Sequence, residues 1–386
     1  MILYGSTIAA TLLAIAGCGY LVAAAISVRR FARRRPPALP VAAPSITILK
    51  PLYGDEPGLF DNLASFCKQD YPGQVHLVGG VLDANDGAVS VFRRLQGSYA
   101  DRDLELVIDA TMHGSNRKVC NLANMAARIR HDVVVVSDSD IRVDPGYLSR
   151  VVGALQAPGV GAVTCLYYGV PATGLWSRLS ALAINAHFLP SVVLGVALRL
   201  ARPCFGSTIA LPRSTLAEIG GFAAFADRLA DDYAIGDAVR RRGHAVAIPP
   251  FAVAHRCTQM SAHELWRHEL RWARTIRGID PLGYAGSILT HPFAWGLAAT
   301  VFAAGSNVFV PALAITCAAI AGRAALLRQA ARAHGLPAQD YWLLPVRDLL
   351  SFIVLIAGLL GRDVSWKGRR YRSLAGGIAD SDLAQR

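Results

Sequence analysis

Lysine is scarce in this chain: only Lys50, Lys68, Lys118 and Lys367 occur. The formal net charge of +12 is therefore carried almost wholly by arginine, which suits phosphate-bearing ligands or an anionic lipid surface. No basic stripe interleaved with aromatics is found, and much of the arginine flanks apolar segments, so nucleic acid is not indicated as a partner. The seven cysteines (Cys18, Cys67, Cys120, Cys165, Cys204, Cys257, Cys317) are scattered, odd in number and lack any Cys-x-x-Cys pair. That pattern argues against a zinc site or a disulfide frame and for reduced core residues in a cytoplasmic domain. Charge is also sparse, at 17% of residues against 53% hydrophobic, a balance that directs attention to membrane segments. No internal repeat appears, and no low-complexity segment beyond alanine richness.

Residues Ile2 to Val28 contain no charge. At 1.5 Å per residue a helix of that length reaches about 40 Å, enough to cross a bilayer with some tilt. No Lys or Arg precedes the run, so a retained anchor is expected in place of a cleaved signal peptide. Arg29, Arg30, Arg33, Arg34 and Arg35 follow, then Pro36-Pro37; by the positive-inside rule this cluster and the domain after it face the cytoplasm. The apolar run Leu179 to Leu198 is interrupted by Asn185, His187 and Pro190 and lies between strand candidates, which suggests a helix lying on the membrane face of a domain. Phe293 to Ile320, with Gly305, Ser306 and Asn307 in its middle, reads either as one long span or as a re-entrant hairpin whose halves, at about 18 Å each, are too short to cross. Leu349 to Leu360 is a further apolar run. Arg323, Arg328 and Arg332 before it, and Arg362, Lys367, Arg369, Arg370 and Arg372 after it, both favour the cytoplasm. One intervening span cannot satisfy both.

Between these ends the texture is one of short β-rich runs separated by helical stretches. Strands are expected at Ile46–Leu49, closed by Lys50-Pro51, and at Val75 to Leu82, Leu104 to Ile108, Val133 to Ser137, Val160 to Cys165, Thr208 to Leu211 and Ala245 to Ile248. Alternation of this kind implies an α/β domain with a mostly parallel sheet. Four consecutive valines, Val133 to Val136, read as a strand buried on both faces. Asp138 and Asp140 then emerge together at its carboxyl end, where open α/β sheets bind ligands. Two carboxylates so spaced can hold one hard divalent cation, which can clamp a diphosphate; a polar loop after a core strand gives the same letters.

Other residue groups each admit two readings. Asp83 and Asp86 can accept from a uracil imide or a ribose hydroxyl, or simply form an Asx turn. Lys118 can offer its charge to a phosphate with Asn121 on the same helical face, or belong to a solvated basic turn. In Leu229-Ala230-Asp231-Asp232-Tyr233, Asp232 can serve as a general base if desolvation and its neighbour raise its pKa, and the pair also suits the start of a helix. In His268-Glu269-Leu270-Arg271-Trp272, Arg271 can grip a diphosphate and Trp272 can stack on a sugar or base; a juxtamembrane basic helix is the alternative. His187 is a candidate acceptor contact and His255 a candidate third metal ligand, each equally readable as a structural histidine.

The succession Asp86, Asp138-Ser139-Asp140, Asp232 and His268-x-x-Arg271-Trp272 resembles the family-two-like glycosyltransferases. Together with Leu49-Lys50-Pro51-Leu52, Gly206-Ser207-Thr208, Gly220-Gly221-Phe222 and Val364-Ser365-Trp366-Lys367-Gly368-Arg369-Arg370-Tyr371-Arg372, it resembles the ceramide glucosyltransferase family, whose bacterial branch includes hopanoid-associated enzymes. His268 departs from the Gln or Arg common there, and Asp140 is a carboxylate the animal members lack. The resemblance implies a GT-A domain, Rossmann-like with a mostly parallel sheet, flanked by N- and C-terminal transmembrane helices. The expected segments are an anchor at 1–28, a basic linker at 29–45, the GT-A domain at 46–290, membrane segments at 291–361 and a basic cytoplasmic tail at 362–386. It further implies transfer of glucose or N-acetylglucosamine, with inversion, from a UDP-sugar to a hydroxyl of a membrane lipid, a hopanoid polyol or ceramide, at the cytoplasmic face of a bacterial inner membrane. Asp83 and Asp86 would hold the nucleoside, Asp138 and Asp140 a Mg²⁺ or Mn²⁺ on the diphosphate, and Asp232 would be the base. Lys118, Arg271 and Trp272 would stabilise the departing UDP, while His187 and His268 would be available to the acceptor. A polysaccharide synthase and a non-catalytic lipid-binding scaffold are the competing classes.

Overall fold

The structure is a computed structural model that describes residues 2–35, 38–39, 42–360, 363–366, 369–374 and 377–380. Pro36, Pro37, Arg362, Lys367 and Gly368 lie outside the described residues. The chain divides into two compact units: a helical one of residues up to Arg33, Tyr168–Arg202 and those from Gln259 onward, and a sheet unit comprising Arg34–Tyr167 and Pro203–Thr258. The division cuts across the 46–290 segment, since Tyr168–Arg202 and the residues from Gln259 fall in the helical unit.

The strands run in chain order as β1 (Ile46–Pro51), β2 (Val75–Val81), β3 (Asp103–Ile108), β4 (Val133–Val136), β5 (Ile141–Arg142), β6 (Val160–Thr164), β7 (Leu166–Pro171), β8 (Ile209–Pro212), β9 (Ala245–Ala247) and β10 (Ala252–Cys257). Seven of them build one sheet in the order β3-β2-β1-β4-β8-β6-β9, and these are the seven expected strands. β1, β2, β3 and β4 are mutually parallel where they pair; β8 runs antiparallel to both β4 and β6. Val133 to Val136 are all at most 4% exposed, and full burial of side chains this size stabilises by roughly 1.5–3 kcal/mol each. Succession passes from β1 outward through β2 to β3 and then returns to β4 on the other flank of β1. The crevice at the carboxyl ends of β1 and β4 is thus the topological switch point of the sheet. Of these ten strands the sequence reading missed β5, β7 and β10, and β5 and β10 pair antiparallel through Ala254 with Arg142 and His255 with Ile141. β5 has only two residues, and β10 alternates burial along a run that contains His255 and Arg256.

In the helical unit, four stretches are long and apolar enough to cross a membrane: Tyr4–Ala32, Gly174–Ala197, Phe309–His334 and Tyr341–Leu359. The region 293–320 is neither one span nor two short halves. A short helix, Pro292–Phe302, is followed after Gly305 (φ +76°) by a long one, Phe309–His334. Small residues bring these two together: a Cβ on Gly296 would lie 2.8 Å from Thr316 Oγ1, and Thr300 and Thr316 share a 2.9 Å hydroxyl hydrogen bond. Such small-residue contacts are how apolar helices pack without a hydrophobic drive between them.

The stretch Gly174–Ala197 stays helical through Pro190 by opening into a π-helical segment at Ala183–Phe188. Proline supplies no N–H and crowds the carbonyl four residues back, that of Ala186. Arg323 takes up that freed carbonyl, its Nη1 donating to it at 3.1 Å, while its Nε donates to Asp348 Oδ2 at 3.2 Å. Arg323 therefore does not flank a membrane segment as expected. It is fully buried mid-helix, because its charge is matched by Asp348 and its remaining N–H groups by carbonyls.

Candidate active site

The site is built around the loop that leaves β4. Asp138 N donates to the Gly206 carbonyl at 3.0 Å, and Gly206 N donates to Asp232 Oδ2, also at 3.0 Å. One glycine, just before β8, thus ties the Asp138 loop to Asp232. Asp232 sits in the first turn of the helix Asp231–Arg241 and accepts a second bond from Tyr233 N at 2.7 Å through Oδ1. Any other residue at 206 would displace these side chains, since a Cβ there would stand 2.4 Å from Asp138 Oδ2 and 2.9 Å from Lys118 Nζ. Burial, and after it the charge of Asp231, push the Asp232 carboxyl up to about 6, the range in which a carboxylate is an effective base near neutral pH.

Cations thread between these acids. Asn116 caps the helix Arg117–Met125, its Oδ1 accepting from Lys118 N and Val119 N. This sets Lys118 Nζ 2.7 Å from Asp138 Oδ1 and 3.0 Å from Asp231 Oδ2. Burial would lower the Lys118 pKa, but the two carboxylates more than reverse that and hold it well above the usual lysine value. Asp140 Oδ2 lies 3.2 Å from His255 Nε2. Burial works to raise the Asp140 pKa; the facing imidazolium, helped by Lys50 and Lys118, overcomes it and takes the carboxyl down to about 2.

Lys50, at the end of β1, is fully buried. Its Nζ donates to the Asp138 carbonyl at 2.6 Å and to Ser137 Oγ at 3.2 Å, above the Phe66 ring at 4.0 Å. Desolvation lowers its pKa to about 7 against the pull of Asp138, Asp140 and Glu56.

Asp138 and Asp140 fit a hard divalent cation. Asp140 Oδ1 is buried with no hydrogen-bond partner among the described residues, and Asp138 is only half-buried. Among the described residues no group of three or more His, Cys, Asp or Glu side chains that could hold a metal ion is found, so these two carboxylates would be the protein's share of the ligands, with the rest coming from phosphate and water. His255 faces this loop: its Nε2 lies against Asp140 Oδ2, and that carboxylate holds its pKa well above the ordinary histidine value in spite of burial.

Other expected residues fall as follows. Asp83 closes an Asx turn, accepting from Asn85 N at 2.9 Å. Asp86 Oδ1 caps the helix Gly87–Ser98 through Ala88 N at 2.9 Å and accepts from Gly54 N at 2.7 Å. Asn121 is buried, and its Nδ2 donates to the Gly80 carbonyl at 2.7 Å. His187 Nε2 sits 2.8 Å from the fully buried Asp348, which is the structural histidine of its two readings. His268, Arg271 and Trp272 belong to the helical unit, on the helix Ala262–Ile279, where the His268 and Trp272 rings lie 4.6 Å apart. Lys50 and Gly206 entered the sequence reading only as parts of the family motifs, and Asp231 only as the neighbour that raises the Asp232 pKa. A lysine inside a run of strand formers and a Gly-Ser-Thr just before a strand were the available signals.

The sequence model of a family described as glycosyl transferase family 21 matches residues 9–379. This chain belongs to that family. Among family 21 relatives and similar proteins, ceramide glucosyltransferase 1 of Caenorhabditis elegans is 23% identical over 232 residues, which are 60% of this chain and 49% of that protein. An N-acetylglucosaminyltransferase of Azorhizobium caulinodans is 24% identical over 248 residues, 62% of this chain and 61% of that protein. The chain spans about half the length of the curated relatives it matches. Among solved structures, the mannosyltransferase PcManGT from Pyrobaculum calidifontis, in complex with GDP-Man and Mn²⁺, superposes with a TM-score of 0.54 at 22% identity, covering 93% of this chain and 99% of that one. That likeness establishes a GT-A fold for this family 21 chain.

Proposed function

We propose that this family 21 protein transfers a hexose from a UDP-sugar to a hydroxyl of a membrane lipid, with inversion at the anomeric carbon. The observation that carries the reading is the Gly206 bridge, which sets a carboxylate with a pKa of about 6 beside a carboxylate loop at the switch point of a parallel sheet. Asp232 takes the proton from the acceptor hydroxyl as that oxygen attacks, and the two backbone N–H donors on its oxygens keep it oriented. Asp138 and Asp140 would hold a Mg²⁺ or Mn²⁺, which supplies positive charge to the diphosphate as it leaves. Lys118, already between Asp138 and Asp231, stands ready to offer the same kind of stabilisation to the UDP. Asp83 and Asp86 are assigned to the nucleoside, and Arg271 and Trp272 to the departing UDP, on the family resemblance.

Four apolar stretches of spanning length support a bilayer location, and the arginines after Ile2–Ala32 favour a cytoplasmic face for the sheet unit. The names of the curated relatives support glucose with ceramide, or N-acetylglucosamine, and the resemblance to the bacterial branch adds a hopanoid polyol as acceptor. The test is UDP release by detergent-solubilised protein with UDP-glucose and UDP-N-acetylglucosamine, each crossed with ceramide and bacteriohopanetetrol. Turnover in one combination, abolished by EDTA and restored by Mn²⁺ or Mg²⁺, is the expected result. Folded protein that is silent in every combination and does not bind UDP would leave a lipid-binding scaffold as the better reading.

A further inference from the structure

Every carbonyl of the Asp138-Ser139-Asp140 loop is held by a donor from another part of the sheet unit. The Ser139 carbonyl accepts from Asn62 Nδ2 at 3.0 Å and the Asp140 carbonyl from Arg256 N at 2.9 Å. The Asp138 carbonyl accepts, within the loop itself, from Ile141 N at 3.3 Å and, from β1, from Lys50 Nζ at 2.6 Å. The last of these stands apart, because a fully buried amine is costly to desolvate, and among the described residues no ion pair of Lys50 is found, the charges of Asp138, Asp140 and Glu56 acting on it without direct contact. A methionine would fill much the same volume and cover Phe66 as well. What it could not do is donate to the Asp138 carbonyl and Ser137 Oγ together.

We propose that Lys50 is a positioning residue for the carboxylate loop, fixing the peptide between Asp138 and Ser139 so that both carboxylates are presented to a cation-bound nucleoside diphosphate. It does this from β1, across the switch point, without touching the ligand. The inference rests on the reading that Asp138 and Asp140 hold the cation. Supporting groups one layer behind metal-binding side chains typically govern affinity by about 10- to 100-fold, and that is the scale expected here.

The test is the affinity for UDP, by titration calorimetry in detergent, with Mn²⁺ and with EDTA, for wild-type protein, Lys50→Met and Ser137→Ala. Thermal unfolding without ligand is followed alongside. In Lys50→Met the expected result is a near wild-type unfolding midpoint, an affinity for UDP with Mn²⁺ weaker by about tenfold or more, and an unchanged affinity in EDTA. Ser137→Ala, which keeps the amine but removes one of its two acceptors, should shift the same quantity in the same direction by less. Wild-type affinity for UDP with Mn²⁺ in Lys50→Met overturns the proposal. So does failure of Lys50→Met to fold while Ser137→Ala binds like wild type, since Lys50 would then serve the core alone. If wild-type protein binds UDP no better with Mn²⁺ than with EDTA, the reading of the loop itself has failed, and this inference with it.

Discussion

Replacing Asp232 with asparagine removes the proposed base while nearly preserving shape. The side chain accepts from Gly206 N at 3.0 Å and from Tyr233 N at 2.7 Å. An amide oxygen can keep one of these bonds, but the Nδ2 group must then face the other donor, a local loss of about 1–3 kcal/mol. Opposing it, one negative charge is removed next to Asp231, whose presence helps raise the Asp232 pKa. The fold should therefore change little in stability. The catalytic effect is much larger: loss of a general base costs about 10²- to 10⁴-fold, equivalent to roughly 3–5 kcal/mol of barrier. The pH profile separates this from a general disturbance. With a carboxyl near 6, wild-type kcat falls about tenfold per unit as the pH drops below 6, because the protonated acid cannot accept. The variant's residual rate should be flat from about pH 5 to 7. UDP release measured across that range decides the matter. An Asp232→Asn protein with more than about a tenth of wild-type kcat, or one that keeps an acid limb near 6, refutes the assignment.

Gly206→Ala forces a Cβ to within 2.4 Å of Asp138 Oδ2. UDP affinity in the presence of Mn²⁺ should weaken by about tenfold or more with secondary structure by circular dichroism unchanged; a variant that binds normally contradicts the bridge. His255→Ala should retain the need for divalent cation in UDP release, since His255 Nε2 is paired with the Asp140 carboxylate; a changed Mn²⁺ requirement would make it a ligand after all. Arg347 is fully buried and donates to both carboxylate oxygens of Glu269 at 2.6 and 2.7 Å. Arg347→Met alone should lower stability by about 3–5 kcal/mol, and pairing it with Glu269→Leu should recover most of that, read from thermal unfolding in detergent. Equal losses in the single and double variants would show that the pair is not coupled.

Much of the sheet was legible because its signal is local. Seven runs of β-branched and apolar residues became the seven strands of one sheet, and Val133–Val136 proved buried on both faces, since four valines in a row leave no polar face to expose. The family also lay open in the sequence, because its motifs are short and keep their order. Strand β10 was missed because its His255 and Arg256 disguise a period-two alternation, and the break in 293–320 was placed but the length of the helix after it was not. The pairing of charges could not be read at all. Arg323 looked like a membrane flank until Asp348, 25 residues away, was found against it, and nothing along the chain paired His255 with Asp140.

The sequence by itself determined the seven strands of the main sheet and the apolar character of the helical ends, because hydrophobic period is a property of neighbours along the chain. Only the tertiary structure decided what each charged group does. Gly206 joins Asp138 to Asp232, and Lys50 reaches the loop beyond β4 from the neighbouring strand. Electrostatics and hydrogen bonding act over a few ångströms in space, and the partners they select here lie 26 to 88 residues apart in the chain.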